Sequence, residues 1–147
     1  MSPMKKSGMA LVLSSGIVET VVAFVAYWVF YAMYKAGTNG ITIYTPMVLL
    51  LSGLLGGILA IIGSVLIKTT KLGGPILSLV AAGLQLFATL FLMVQVTATG
   101  STNDSAMIIL PFFILPNALA IAGGVMAIIP AKDEAPKAEP VKETPKE

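Results

Sequence analysis

Residues 47–96 read MVLLLSGLLGGILAIIGSVLIKTTKLGGPILSLVAAGLQLFATLFLMVQV, and this stretch decides the fold. It contains two uncharged apolar segments of about twenty residues each, which as helices are long enough to cross the hydrocarbon core of a bilayer. Between them, Lys68 and Lys71 must stay in water or among lipid headgroups, because a charge inside hydrocarbon is costly. We therefore predict a transmembrane helical hairpin with its turn at residues 68–75.

A further apolar run lies on each side of this hairpin. The first follows a short polar leader and covers residues 9–34, which is longer than the apolar region of a cleaved signal peptide. The second covers residues 106–129 and ends at Pro130. The sequence therefore predicts an all-α fold, an integral membrane four-helix bundle that runs up-down-up-down within one domain. The predicted domain spans residues 1–130, with helices at about 9–34, 47–67, 75–96 and 106–129.

The placement of the lysines predicts the orientation of the bundle. All nine basic residues are lysines, and with the N-terminus inside the cell Lys35 alone falls on the outer side. Inner connections of membrane proteins carry an excess of Lys and Arg, so we expect both termini in the cytoplasm and the chain in the cell membrane. Residues 131–147 are mostly Lys, Glu, Ala and Pro, and they are expected to form a disordered cytoplasmic tail because they can bury very little apolar surface.

The aromatic residues all lie in the predicted outer half of the bundle or in its outer connections. Tyr31, Tyr34 and Tyr44 lie at the depth of the membrane interface, where tyrosine is enriched, and they are predicted to anchor the helices there. Phe24 and Phe87 lie too deep for that role, and they are expected to pack against other helices.

The composition excludes most kinds of chemistry. The chain is 56% hydrophobic and only 11% charged, whereas soluble proteins average about 25% charged residues. It contains no cysteine and no histidine, so thiolate nucleophiles, disulfides and the usual zinc, iron–sulfur and haem ligands are absent. The net charge of +2, without a basic patch interleaved with aromatic residues, gives no reason to expect nucleic acid. We predict a protein that is not an enzyme and that uses no metal or cofactor.

Small residues at helical spacing predict where the helices approach each other closely, because helices in lipid associate by tight packing rather than by hydrophobic burial. The predicted packing positions are Gly53, Gly57 and Ala60 in the second helix and Ala120 and Gly124 in the fourth. They suit packing within the bundle, and a surface for a second copy or another partner is the alternative.

Three polar residues fall at nearly the same depth, close to the middle of the predicted bilayer: Glu19, Gln85 and Asn117. A carboxylate at that depth costs roughly 2.5–3.5 kcal/mol on insertion scales, so Glu19 is expected to face the bundle, where the amide of Gln85 or Asn117 could satisfy it. Ser15 and Ala23 share the helix face of Glu19 by four-residue spacing. One interpretation is a polar clasp between helices, a second is a proton- or cation-binding site that lines a pathway, and a third is a glutamate near the inner interface that reaches water.

Three pieces of the chain resemble a known pattern, namely AIIGSVLIK at residues 60–68, KLGG at 71–74 and ILPNALAIAGGVMAII at 114–129. They resemble a widespread group of small four-helix prokaryotic membrane proteins of uncharacterised function. The resemblance implies four helices and a prokaryotic source, and it implies no activity.

These features favour a non-catalytic integral membrane protein, an accessory or structural subunit that packs in a larger membrane complex or in a homo-oligomer. Its expected partners are the lipid bilayer and either such a complex or a second copy of the chain. The alternative function is a small transporter or channel component in which Glu19 is the proton or cation site.

Overall fold

The computed structural model describes residues 1–37, 41–98 and 104–129. These residues form four α-helices: α1 (Pro3–Lys35), α2 (Tyr44–Thr69), α3 (Gly73–Ala98) and α4 (Asp104–Ile128). All four helices are long enough and apolar enough to cross a membrane. The predicted all-helical class and the predicted number of helices are therefore confirmed, while the predicted tail at residues 131–147 lies outside the described residues.

The first helix begins earlier than the predicted start at residue 9. Ser2 has an extended backbone, and its side-chain oxygen accepts a hydrogen bond from the backbone N–H of Lys5 at 3.2 Å. Pro3 follows as the first helical residue, a position where its missing N–H costs nothing. Hydropathy shows where an apolar run begins, whereas a helix begins at its N-cap, and the Ser-Pro pair supplies that cap within the polar leader.

Consecutive helices run antiparallel, as the contacts between α1 and α2 show. A Cβ added at Gly16 in α1 would lie 2.7 Å from the carbonyl oxygen of Gly57 in α2. Two turns further along α1, Ala23 lies against Gly53, which is earlier in α2. The contacts therefore move backwards along α2 as they move forwards along α1.

The first and last helices also pack against each other and close the bundle. Gly8, near the start of α1, lies against Gly123 in α4, and Ser15 is bonded to the carbonyl of Pro116 about two turns earlier in α4. The main contacts of the bundle are thus α1 with α2, α2 with α3, α3 with α4, and α4 with α1. Each helix has two principal neighbours, and its remaining face is exposed.

Two apolar clusters fill the interior, one at each end. The cluster nearer the end of α1 consists of Ala26, Phe30, Leu49, Ala88, Leu92 and Phe113. The cluster nearer the start of α1 consists of Val12, Ala60, Ile67, Ala81 and Ala127. Between these two clusters the buried residues of every helix are small or polar, and this middle level is where the candidate site lies.

The expectation that Phe24 and Phe87 pack inside is wrong. Phe24 is 48% exposed and Phe87 is 54% exposed. Phe24 directly follows Ala23, and Phe87 directly precedes Ala88; both alanines are fully buried. Neighbouring residues on a helix point about 100° apart, so the phenylalanines face away from the interior. Depth along a helix therefore did not decide burial, which depends on the side of the helix that faces its neighbours.

Candidate functional site

Four buried polar residues form one level of the bundle interior, which we call the polar layer: Ser15, Glu19, Gln85 and Asn117. Ser15, Glu19 and Gln85 are completely buried, and Asn117 is 5% exposed. The layer lies between the two apolar clusters, so its side chains come from α1, α3 and α4 at the same height. The sequence predicts that Glu19, Gln85 and Asn117 lie near the middle of the bilayer, and in the structure all three are buried in the bundle.

Ser15 joins three helices through its hydroxyl group. Its Oγ lies 2.6 Å from the carbonyl oxygen of Pro116 in α4 and 3.3 Å from Oε1 of Gln85 in α3, and it donates towards both. A hydroxyl has a single proton, so the shorter contact is the stronger and the longer one is the minor branch of a shared bond. The sequence placed Ser15 on the face of Glu19 but did not predict that it would be the residue that links the helices.

Glu19 is one turn further along α1 and faces α2. A Cβ added at Gly53 would lie 3.3 Å from its Oε1 atom, so the missing side chain of Gly53 leaves the space that the carboxyl group occupies. Both carboxyl oxygens are buried, and within residues 1–37, 41–98 and 104–129 neither has a hydrogen-bond donor. The predicted pairing of Glu19 with Gln85 or Asn117 is therefore not formed among these residues.

Gln85 and Asn117 each keep one unused polar atom. Gln85 rests against α2 where a Cβ at Gly56 would lie 2.9 Å from its Cγ, so a glycine again makes room for a polar side chain. In the part of the chain that the structure describes, Nε2 of Gln85 and Oδ1 of Asn117 have no hydrogen-bond partner. The layer thus holds one unused donor, on Gln85, and unused acceptors on Glu19 and Asn117.

The excess of unused acceptors over unused donors limits the chemistry of the polar layer. A buried polar atom without a partner costs free energy, and a buried charge costs more unless it is paired. The carboxyl group can hold a proton, accept hydrogen bonds from water or contact a small cation. The described residues contain no group of three or more His, Cys, Asp or Glu side chains that could hold a metal ion.

A second shared bond connects α3 and α4 next to the layer. Thr89 Oγ1 donates to the carbonyl of Gln85 on its own helix at 2.9 Å, and it lies 3.5 Å from the carbonyl of Phe113 in α4. Thr89 is one turn after Gln85, on the side of the cluster that contains Phe113. Hydroxyl groups that bond to main-chain carbonyls therefore connect α4 to α1 at Ser15 and to α3 at Thr89.

The residues predicted for helix packing are all buried: Gly53, Gly57, Ala60, Ala120 and Gly124. Gly57 lies in direct contact with the Thr20 hydroxyl of α1, and a Cβ at Gly124 would lie 2.9 Å from Cδ2 of Leu79 in α3. Their contacts are with other helices of the same chain. These positions therefore face the interior of the bundle in this structure.

Several close contacts involve glycines that the sequence analysis did not single out. Gly8 and Gly123 touch each other, Gly16 meets Gly57, and Gly63 lies against Ser78. Gly8 faces α4 and Gly16 faces α2, since an eight-residue spacing places them about 80° apart around α1. A search for one four-residue stripe therefore does not find them together.

Comparison with protein-family models, with curated proteins and with solved structures finds no match to this chain. The resemblance to small four-helix prokaryotic membrane proteins therefore stays a prediction. What the fold defines is an all-helical protein of four helices, each able to cross a membrane, with a polar layer at the centre of its described part.

Proposed function

We propose that the protein is a multi-pass protein of the cell membrane with a structural role, an accessory subunit that packs in a larger membrane complex or in a homo-oligomer. The observation that carries this proposal is the distribution of polarity, with the polar layer buried and large apolar side chains outside. Each helix has a large apolar side chain that is more than half exposed: Val21, Leu55, Val80 and Leu115. Such a surface is costly in water and suits lipid or another membrane protein.

A structural role is also supported by the chemistry that the interior lacks. General acid–base catalysis uses a pair of positioned groups, and His is the commonest of them. The chain has no His and no Cys, and the buried acidic residue is Glu19. A single carboxyl group without a second acid or base beside it is a poor basis for a reaction.

The proposal is tested by isolating the assembly that contains the chain. A tagged copy is expressed from its own promoter, extracted from native membranes in a mild detergent, and analysed for mass and for co-purifying proteins. We expect either one membrane protein in a fixed ratio to the chain or a defined oligomer of the chain itself. A chain that purifies as a monomer at native abundance would contradict the proposed role.

The second candidate function is a small transporter or channel component in which Glu19 takes a proton or cation. The observation in its favour is the fully buried carboxyl group, whose two oxygens have no donor among the described residues. Ionisable residues within membrane helices often mark ion or proton pathways. In proteoliposomes the structural proposal predicts the same proton and sodium flux as in empty liposomes. Flux through the wild type that is lost in Glu19→Gln would replace the structural proposal with this one.

A further inference from the structure

One end of the bundle gathers most of the lysines that the structure describes. Lys5 and Lys6 lie in the first turn of α1, Lys68 in the last turn of α2, and Lys71 in the short connection to α3. The antiparallel arrangement brings the start of α1, the end of α2 and the start of α3 to this end. We call these four residues the basic rim.

A direct contact connects the start of α1 with the α2–α3 connection at the basic rim. The ammonium Nζ of Lys5 lies 3.5 Å from the carbonyl oxygen of Thr70, which sits between Lys68 and Lys71 in the chain. Lys5 is partly buried, whereas Lys6, Lys68 and Lys71 are exposed. The positive charges of the rim therefore belong to one surface rather than to separate elements.

No acidic side chain of the described residues balances this charge. Glu19 is buried in the polar layer, and Asp104 is the first residue of α4, at the opposite end of the bundle. Two helix N-termini and two helix C-termini meet at the basic rim, so their opposite dipole charges largely cancel. The net positive charge of this surface therefore comes from the lysines.

Exposed apolar residues are close neighbours of the lysines in the chain. Met4 precedes Lys5 and is 37% exposed, Leu72 follows Lys71 and is 59% exposed, and Ile76 on the next turn of α3 is 53% exposed. A surface with ammonium groups and apolar side chains side by side matches the boundary between lipid headgroups and acyl chains. A purely aqueous anion would leave these apolar side chains in water.

We propose that the basic rim binds the phosphate group of anionic phospholipids, with its apolar side chains against the start of the acyl chains. This inference rests on the proposed membrane location. Lysine is a point charge with three donors and does not impose the two-pronged geometry of arginine, so it suits headgroups that differ in shape and share a negative phosphate. The rim therefore recognises the charge of the lipid rather than one particular headgroup.

The test measures lipid retention by native mass spectrometry. The full-length protein is equilibrated in mixed micelles that contain equal amounts of phosphatidylglycerol and phosphatidylcholine with identical acyl chains. We expect the wild type to retain mainly phosphatidylglycerol. Each lysine of the rim that is replaced by glutamine should reduce this preference by about fivefold, which corresponds to the usual attraction of one lysine to an anionic surface.

Two variants with the same chemical change give the matched comparison. Lys68→Gln combined with Lys71→Gln removes two exposed lysines of the basic rim. Lys35→Gln removes the lysine at the other end, where its Nζ lies 5.7 Å from the centre of the Tyr31 ring. The double variant should lose most of the preference, and Lys35→Gln should keep it. An equal loss in both variants, or in neither, would overturn the inference.

Competing occupants are distinguished in the same experiment. If inorganic phosphate at tens of millimolar displaces phosphatidylglycerol completely, the rim binds free phosphate and the lipid assignment is wrong. If phosphatidylglycerol is preferred only after residues 131–147 are deleted, the acidic residues of that segment occupy the rim and the assignment is again wrong. The expected result is a preference that survives phosphate and is present with the full chain.

Failure of this inference can be separated from failure of the proposed function. Membranes that contain the protein are washed at alkaline pH, which removes proteins that do not span the bilayer. A chain that is washed off contradicts the membrane location itself. A chain that stays in the membrane but shows no preference for anionic lipid contradicts the lipid site alone.

Discussion

Ser15 and Ser14 are neighbours in α1 with opposite environments, and they show that its position on the helix decides whether a serine hydroxyl bonds to other helices. Ser14 is exposed, whereas Ser15 is completely buried and donates towards Pro116 and Gln85. The sequence alone could place both residues on a helix near the middle of the membrane. It could also place Ser15 on the face of Glu19, but it could not show that Ser15 would touch two other helices, because that depends on how α3 and α4 pack against α1.

Replacing Ser15 by Ala should therefore destabilise the bundle, while Ser14→Ala should not. Ser15→Ala removes the donor for the Pro116 carbonyl, and interhelical hydrogen bonds in membrane proteins average about 0.6 kcal/mol and reach about 1.7 kcal/mol. We expect a loss in this range in the free energy of unfolding in detergent. Equal stability of the two variants would show that the Ser15 hydroxyl does not hold the helices together.

For Glu19 we expect the opposite effect of a substitution on stability. Its carboxyl oxygens have no donor among the described residues, and exchanging an unpartnered buried polar group for an apolar group of similar size is often neutral or stabilising. Glu19→Leu should therefore leave the midpoint of thermal unfolding unchanged or raise it, with Ser14→Leu on the exposed face as the control. A marked fall for Glu19→Leu would mean that the carboxyl group has a partner, either an amide of a polar clasp or a bound ion, and the flux measurement on Glu19→Gln distinguishes these two.

At the scale of the helices, glycine positions decide how closely the elements approach. Gly16 in α1 and Gly83 in α3 are both inside long helices, yet a Cβ at Gly16 would lie 2.7 Å from the Gly57 carbonyl oxygen and 3.0 Å from the Ile61 backbone nitrogen. A Cβ at Gly83 would have nothing within 4 Å. The two residues look alike in the sequence, and they differ only through the packing of the helices.

Gly16→Ala and Gly83→Ala should accordingly change stability in opposite directions. Alanine is the better helix former by about 1 kcal/mol, so Gly83→Ala should raise the midpoint of thermal unfolding. Gly16→Ala gains the same propensity but forces the backbones of α1 and α2 apart, which typically costs about 1–3 kcal/mol. Both variants are measured side by side in the same detergent. A stable Gly16→Ala variant would show that α1 and α2 are not in close contact there.

For the molecule as a whole, hydropathy and length were enough to predict four helices, because a segment able to cross a membrane is set by composition over about twenty residues. Counting along the helices also predicted a shared height for Glu19, Gln85 and Asn117, and all three are buried. The expected hydrogen bond from an amide of Gln85 or Asn117 to Glu19 is not formed among the described residues, because Glu19 faces Gly53 of α2. The start of α1 was missed for a local reason, a Ser-Pro cap inside a polar leader.

The orientation of the molecule leads to a prediction that uses two exposed threonines at opposite ends. Thr42 lies between α1 and α2, and Thr69 is the last residue of α2, next to the basic rim. The chain has no cysteine, so Thr42→Cys and Thr69→Cys each introduce a single reactive thiol. Because lysine-rich connections stay in the cytoplasm, an impermeant thiol reagent should label Thr42→Cys in intact cells and Thr69→Cys only after the cells are permeabilised.

The permeabilised sample is also the control for reactivity, since both positions must react there for the comparison to count. The reverse pattern in intact cells would place the basic rim outside and would mean that packing or another signal outweighs the lysines. Labelling of both positions in intact cells would mean that α2 does not cross the membrane. Because α2 carries Gly53 and Gly56, against which Glu19 and Gln85 rest, that last outcome would remove the membrane-buried setting of the polar layer as well.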